Sequence, residues 1–390
     1  MPEVFISRQP LVNRQSKIIA TRLTLHPQGG ATLKDAADAL ALLAEFWPQG
    51  EKLVFINCGS TCDASVLEWL FPGNATFEVR PSTLVGADGA ALVAALKATQ
   101  PSLCMVFDND AGAALATGLS FRFISFDARR YTPAQLKILA TKTQPYGIGV
   151  AFNVFDAPTF QACLDAGVNA AASWFFKNPG KPPAKALNPG QAQIIRVLNL
   201  VRKNAEVKEI EAALKQDVAR SYKLLRYINS AGFGLSCEIQ SFRHAVTILG
   251  YEKLNKWLSL LLATASKDPM APALMHTALT RARLMELLSH GLVDRQEYDN
   301  LFITGAFSML DALLGVSMEK VLESMSLPEP ICDALLGHGG VYGPFLELAK
   351  VSEGEDGVAL AEQAGMLGLS AEQFNRAQMQ ALQFAETMEL

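Results

Sequence analysis

The first 176 residues alternate short apolar runs with amphipathic ones, and that alternation restricts the fold more than any other feature of the chain. VFIS (4–7), KIIATRLTL (17–25), LVFINC (53–58), TFEV (76–79), LCMVFD (103–108), FRFISFD (121–127) and YGIGVAF (146–152) read as strands. LKDAADALALLAEF (33–46), ADGAALVAALKAT (87–99), PAQLKILATKT (133–143) and APTFQACLDAG (157–167) read as helices between them. Strand, helix and strand in repetition imply a parallel sheet, and the closed form of that sheet is the β/α barrel. A usual barrel takes roughly 200 to 250 residues, so a shortened barrel is expected over 1–176. Barrel chemistry sits at the C-terminal ends of strands, which makes those ends the candidate site.

KNPGKPPAKALNPG (177–190) is proline-rich without apolar periodicity and reads as a linker. Beyond it, 191–390 shows helical periodicity throughout and no strand pattern, so the second domain is expected to be all-α. At its centre, 217–262 reads as three short helices. Gly232 and Gly234 end the first, Ser241 caps the second, and Gly250 closes it. A single helix is expected over 299–315.

Net charge of -4 gives no basic field to gather nucleic acid, although SFRHAVTILGYEKLNKWL has a helix-turn-helix outline. The longest apolar run, near 257–265, is far below the ~20 residues of a membrane span. MPEVFISRQP lacks a basic stretch followed by an apolar one, so no signal peptide is expected. The six cysteines form no CxxC pair, which suits reduced thiols.

KLLRYINSAGFG, SFRHAVTILG and KLNKWLSLLL, in that order, resemble the HDOD domain, an all-α relative of the HD phosphohydrolases without their metal residues. With its opening RQPLVNRQSKII, the N-terminal half resembles an EAL domain, the barrel that hydrolyses cyclic di-GMP, of the variety fused ahead of HDOD domains. The resemblance implies a site in which carboxylates and an asparagine hold two divalent cations. On that pattern Arg22 stands at the signature glutamate, Thr24 at the leucine after it, and His26 at the following arginine. Asn57 and Glu78 match metal-binding positions, whereas Pro81 replaces a second glutamate. Asp108 and Asn109 fall on an aspartate pair, Ser125 on a lysine, and Phe152 on a late glutamate, while Asp127 is kept. Ala172 and Ser173 stand at the closing glutamine-glycine pair. In the helical half, Ser308 and Met309 occupy the histidine-aspartate positions of an HD enzyme, and His276 alone matches a ligand histidine.

A guanidinium cannot be deprotonated to make room for a dication, and an alcohol and a thioether are poor ligands for one. The expectation is therefore a degenerate TIM-like barrel followed by a helical domain, not an enzyme, with no cofactor. Asn57, Glu78, Asp108 and Asp127 are expected as vestigial nucleotide or metal positions. The resemblance implies a bacterial cytoplasmic signal-transduction protein acting through protein–protein contact. The alternative is a receptor that binds cyclic di-GMP without cleaving it.

Overall fold

The computed structural model describes residues 3–48, 52–59, 62–172, 174–177, 187, 189–215, 241, 243–244, 246–248, 250–251, 254–255, 258 and 270–388. They form two compact units. The first combines 1–180 with 350–379, and the second combines 181–349 with 380–390.

In the first unit eight strands close into a barrel in chain order. β1 (Glu3–Asn13) and β2 (Ile18–Gln28) form an antiparallel hairpin. Its turn is held by the Asn13 side chain, which accepts from the backbone N–H groups of Gln15 and Lys17, with Ser16 at positive φ. β3 (Leu53–Asn57), β4 (Ala75–Val79), β5 (Ser102–Val106), β6 (Phe123–Asp127), β7 (Ile148–Phe152) and β8 (Ala170–Ala172) then follow in parallel. β8 closes the ring antiparallel against Leu11–Asn13 of β1. The barrel is filled at mid-height by Leu11, Ala20, Phe55, Cys104, Phe123 and Phe152, among others, with Phe55 edge-on to Phe123 at 5.1 Å. Helices between strands start where the sequence supplies caps: Thr32 and Asp35 form a capping box for Leu33–Leu42, and Thr132 and Gln135 form one for Pro133–Thr143.

β8 covers only the last three residues of β1, which leaves the N-terminal half of β1 with an unpaired edge. The chain between 350 and 379 satisfies that edge with side chains and one carbonyl. Asn375 accepts from the Ile6 N–H at 3.0 Å and donates to the Val4 carbonyl at 2.7 Å. Gln378 donates to the Ile6 carbonyl at 2.7 Å, and the Ser352 carbonyl accepts from the Arg8 N–H at 3.0 Å. An open strand edge would otherwise expose unsatisfied donors and acceptors.

The second unit is helical over its described residues. Helix Ala271–Leu288 is buried along most of its length and lies against Tyr298–Phe307. Gly305 allows the close approach, because a Cβ there would stand 2.6 Å from the backbone of Ala282. The single helix expected over 299–315 divides into Tyr298–Phe307 and Leu310–Leu314, broken at Ser308 and Met309. The three short helices expected within 217–262 fall mostly outside the described residues, as do Gly232 and Gly234. Among the described residues no helix is long and apolar enough to cross a membrane.

Candidate functional site

Alternation along the strands points Arg22, Asn57 and Glu78 toward the barrel axis at the C-terminal end of the sheet. The register brings them level: Gln9 faces Arg22 across β1 and β2, Thr24 pairs with Asn57, and Asn57 with Glu78. All are buried.

Arg22 is the centre of the site. Its Nε donates to Glu78 Oε1 at 2.7 Å and its Nη2 to Oε2 at 2.9 Å, a two-point clasp. Nη1 donates to Gln9 Oε1 at 3.1 Å and to Glu355 Oε1 at 2.7 Å. The guanidinium also lies 4.3 Å from the ring centre of Phe152, a cation–π contact. Burial by itself favours a neutral side chain, but the charges and hydrogen bonds of Glu78, then Glu355, outweigh it and raise the Arg22 pKa.

The segment after the helical half supplies a second carboxylate. Glu353, almost fully buried, pairs with Arg8 at 3.3 Å and with Lys177. Trp174 donates its indole N–H to the Glu353 carbonyl at 2.6 Å. Arg8 and Lys177 both lie over the Trp174 ring, at 5.2 and 4.1 Å. Thus Arg8, Arg22 and Lys177 are matched by acidic groups from β4 and from 353–355.

The remaining candidates are brought to the same rim without joining this network. His26 Nε2 lies 2.8 Å from Ser7 Oγ. Its pKa is lowered first by burial and then by Arg22, against the pull of Glu355 and Asp356. Asn57 donates to Thr24 Oγ1 at 3.2 Å and accepts from the Gly59 N–H at 3.0 Å, so both ends serve the strand end. Asp108 accepts from the Asp110 N–H at 2.9 Å, and its neighbour Asn109 is exposed. Asp127 takes both Nε and Nη2 of Arg129 at 3.0 and 2.8 Å. Burial pulls its pKa up, but the Arg129 contacts carry it below the usual carboxylate value. Ser125 donates to the Met105 carbonyl at 3.4 Å, and Pro81 opens a short helix at its first position. Ala172 sits in β8, and Ser173 lies outside the described residues.

In the second unit Ser308 accepts from Arg281 Nη1 at 2.9 Å and donates to the Gly305 carbonyl at 2.7 Å, while Met309 is buried. His276 is buried within Ala271–Leu288. Among the described residues no group of three His, Cys, Asp or Glu side chains is placed to hold a metal ion. Nor do the residues at the barrel mouth fit a divalent cation. Arg22 engages both Glu78 oxygens, and its fixed charge repels a dication at that spot.

Sequence reasoning missed Arg8, Gln9, Lys177, Trp174, Glu353 and Glu355. The acidic run SEGEDG (352–357) carried a signal, although the helical spacing of PFLELAKVSEGE (344–355) predicts a helix through its first four residues. Observed, that helix, Gly343–Val351, ends before it.

Residues 188–314 match the family model of the HDOD domain. That stretch is similar to the HDOD domain. It is 27% identical over 228 residues to the cyclic di-GMP phosphodiesterase CdgJ of Vibrio cholerae, covering 58% of this chain and 53% of that protein. It is 26% identical over 221 residues to the uncharacterized protein YuxH of Bacillus subtilis, covering 55% and 54%. The aligned stretches thus span about half the length of these curated relatives. Similar solved structures include the EAL domain of Mycobacterium smegmatis DcpA, with TM-score 0.35 and 13% identity over 43% of this chain and 89% of that one. Another is the Pseudomonas aeruginosa FimX EAL domain bound to c-di-GMP, with TM-score 0.34 and 16% identity over 45% and 89%. One expectation is corrected here. The substituted positions suggested a chain that is not an enzyme, yet a relative of this chain is named a cyclic di-GMP phosphodiesterase. Replaced ligands at one set of positions do not settle the activity of a whole protein.

Proposed function

We propose that this chain is a signal-transduction protein that takes up cyclic di-GMP at the open end of its barrel and passes the state of that end to a protein partner. The observation that carries the proposal is Arg22, a guanidinium inside the barrel at the C-terminal end of its strands, balanced by Glu78 and Glu355 of the chain itself. A guanidinium there suits a phosphodiester group of a cyclic dinucleotide, since it binds phosphate oxygens in pairs. The likeness to a cyclic di-GMP phosphodiesterase supports this ligand. The barrel mouth connects to the HDOD half along the chain at 350, giving a covalent route for the signal.

Calorimetric titration of the full chain with cyclic di-GMP, with and without Mg²⁺, tests the ligand, and chromatography of the same samples reads any linear product. Saturable binding supports the proposal. No heat at ligand concentrations of hundreds of micromolar overturns it.

A further inference from the structure

We propose that Glu355 is an internal competitor for the phosphodiester at Arg22, so that the segment 352–357 sets how strongly the barrel mouth binds its ligand. The inference rests on the ligand reading above and adds the regulation of that site.

Arg22 has two carboxylate partners that differ in kind. Glu78 is held from the barrel wall by two hydrogen bonds, with its side chain 1% exposed. Glu355 meets the guanidinium through one oxygen, at 2.7 Å, with its side chain 41% exposed. An ion pair with one partner open to water is held more weakly than one buried on both sides. The exposed partner is therefore the one an incoming anion can replace. A phosphodiester oxygen would take the same Nη1 donor while Glu78 keeps Nε and Nη2.

The segment is built to hold that carboxylate in place without burying it. Glu353, two residues earlier, is anchored by Arg8 and Lys177, and its own carbonyl is anchored by Trp174. One residue later, Asp356 caps helix Gly357–Met366 by accepting from the Val358 and Ala359 N–H groups at 3.1 and 3.0 Å. Gly357 lets the turn come close to β2, because a Cβ there would stand 2.5 Å from His26. Both flanks are fixed, so displacement needs only the Glu355 side chain to swing outward.

The test compares cyclic di-GMP binding by the full chain, by Glu355→Gln and by Glu362→Gln. Glu362 is an exposed position on the helix that follows, so its variant controls for loss of one negative charge anywhere on that segment. Glu355→Gln is expected to bind about five- to tenfold more tightly than wild type, the gap narrowing in high salt, with Glu362→Gln unchanged. Equal affinity of wild type and Glu355→Gln overturns the competitor while leaving the ligand reading intact. An equal gain in both variants also overturns it, because the effect is then general charge. Absence of binding in all three removes the ligand reading and the competitor with it. Unchanged melting of Glu355→Gln confirms that the comparison is between folded proteins.

Discussion

Arg22 and Glu78, on β2 and β4, share two parallel hydrogen bonds of 2.7 and 2.9 Å inside the barrel, although 56 residues separate them in the chain. The two charges neutralise each other inside the barrel wall. A buried pair of this kind is costly to break from one side. Glu78→Gln is expected to destabilise the first unit by about 3–5 kcal/mol, read from urea unfolding. The double replacement Arg22→Met with Glu78→Met is expected to recover most of that loss, since it leaves no lone buried charge. A double variant as unstable as the single one would show that the pair does more than neutralise itself.

The rim also predicts a dependence on acid. The pKa of His26 is lowered from 6.5 in the folded protein, chiefly by burial and also by Arg22, while Glu355 and Asp356 oppose the shift. As pH falls through about 6.5, the unfolded chain takes up the proton before the folded one does. Stability contributed at neutral pH is therefore lost below that point and levels off under the folded pKa. Melting temperatures between pH 8 and 5 should fall more steeply for wild type than for His26→Gln, and parallel curves would exclude His26 as the source.

Gly357 is a second pressure point. Adding a Cβ puts it 2.5 Å from both Cβ and Cγ of His26, atoms that cannot rotate out of the way as a side-chain tip could. Gly357→Ala is expected to cost about 1–3 kcal/mol in the first unit and to speed amide exchange at Val358 and Ala359. Unchanged exchange there would mean that the segment tolerates the methyl group by local adjustment.

In the second unit the equivalent test is Gly305→Ala. The added methyl would meet the Ala282 backbone at 2.6 Å, so the two helices must part. The expected loss is about 1–3 kcal/mol or more, measured by thermal unfolding followed by circular dichroism. The same replacement at exposed Gly291, where nothing lies within 4 Å, tests backbone strain alone, because its φ is +81.

Much of the barrel could be read from the chain because its strands are short runs of Val, Ile, Phe and Leu bounded by turn residues. β8 could not, since Ala170–Ala172 has no strand-forming side chains, and its burial follows from the neighbours that close around it. The break at Ser308 was hidden for a related reason. Apolar spacing continues through it, and the kink arises where the Ser308 hydroxyl meets Arg281 and the Gly305 carbonyl. At the site, Arg22 was legible as a charge near a strand end, but its partners were not. Glu355 lies 333 residues away, and no local pattern says that an acidic turn will return to a strand read hundreds of residues earlier. Asp108 and Asp127 matched the expected positions, yet each is tied to its own loop, a role that short-range hydrogen bonding supplies without any ligand.

The flank of β1 that β8 leaves uncovered carries a further consequence, one of timing. Its amide and carbonyl groups at Val4, Ile6 and Arg8 find their partners in Ser352, Asn375 and Gln378. On the ribosome Ile6 emerges 369 residues ahead of Asn375, on the order of tens of seconds at ordinary synthesis rates. During that interval the nascent barrel presents a bare strand to any other chain nearby, and only the arrival of residues 352–378 withdraws the invitation.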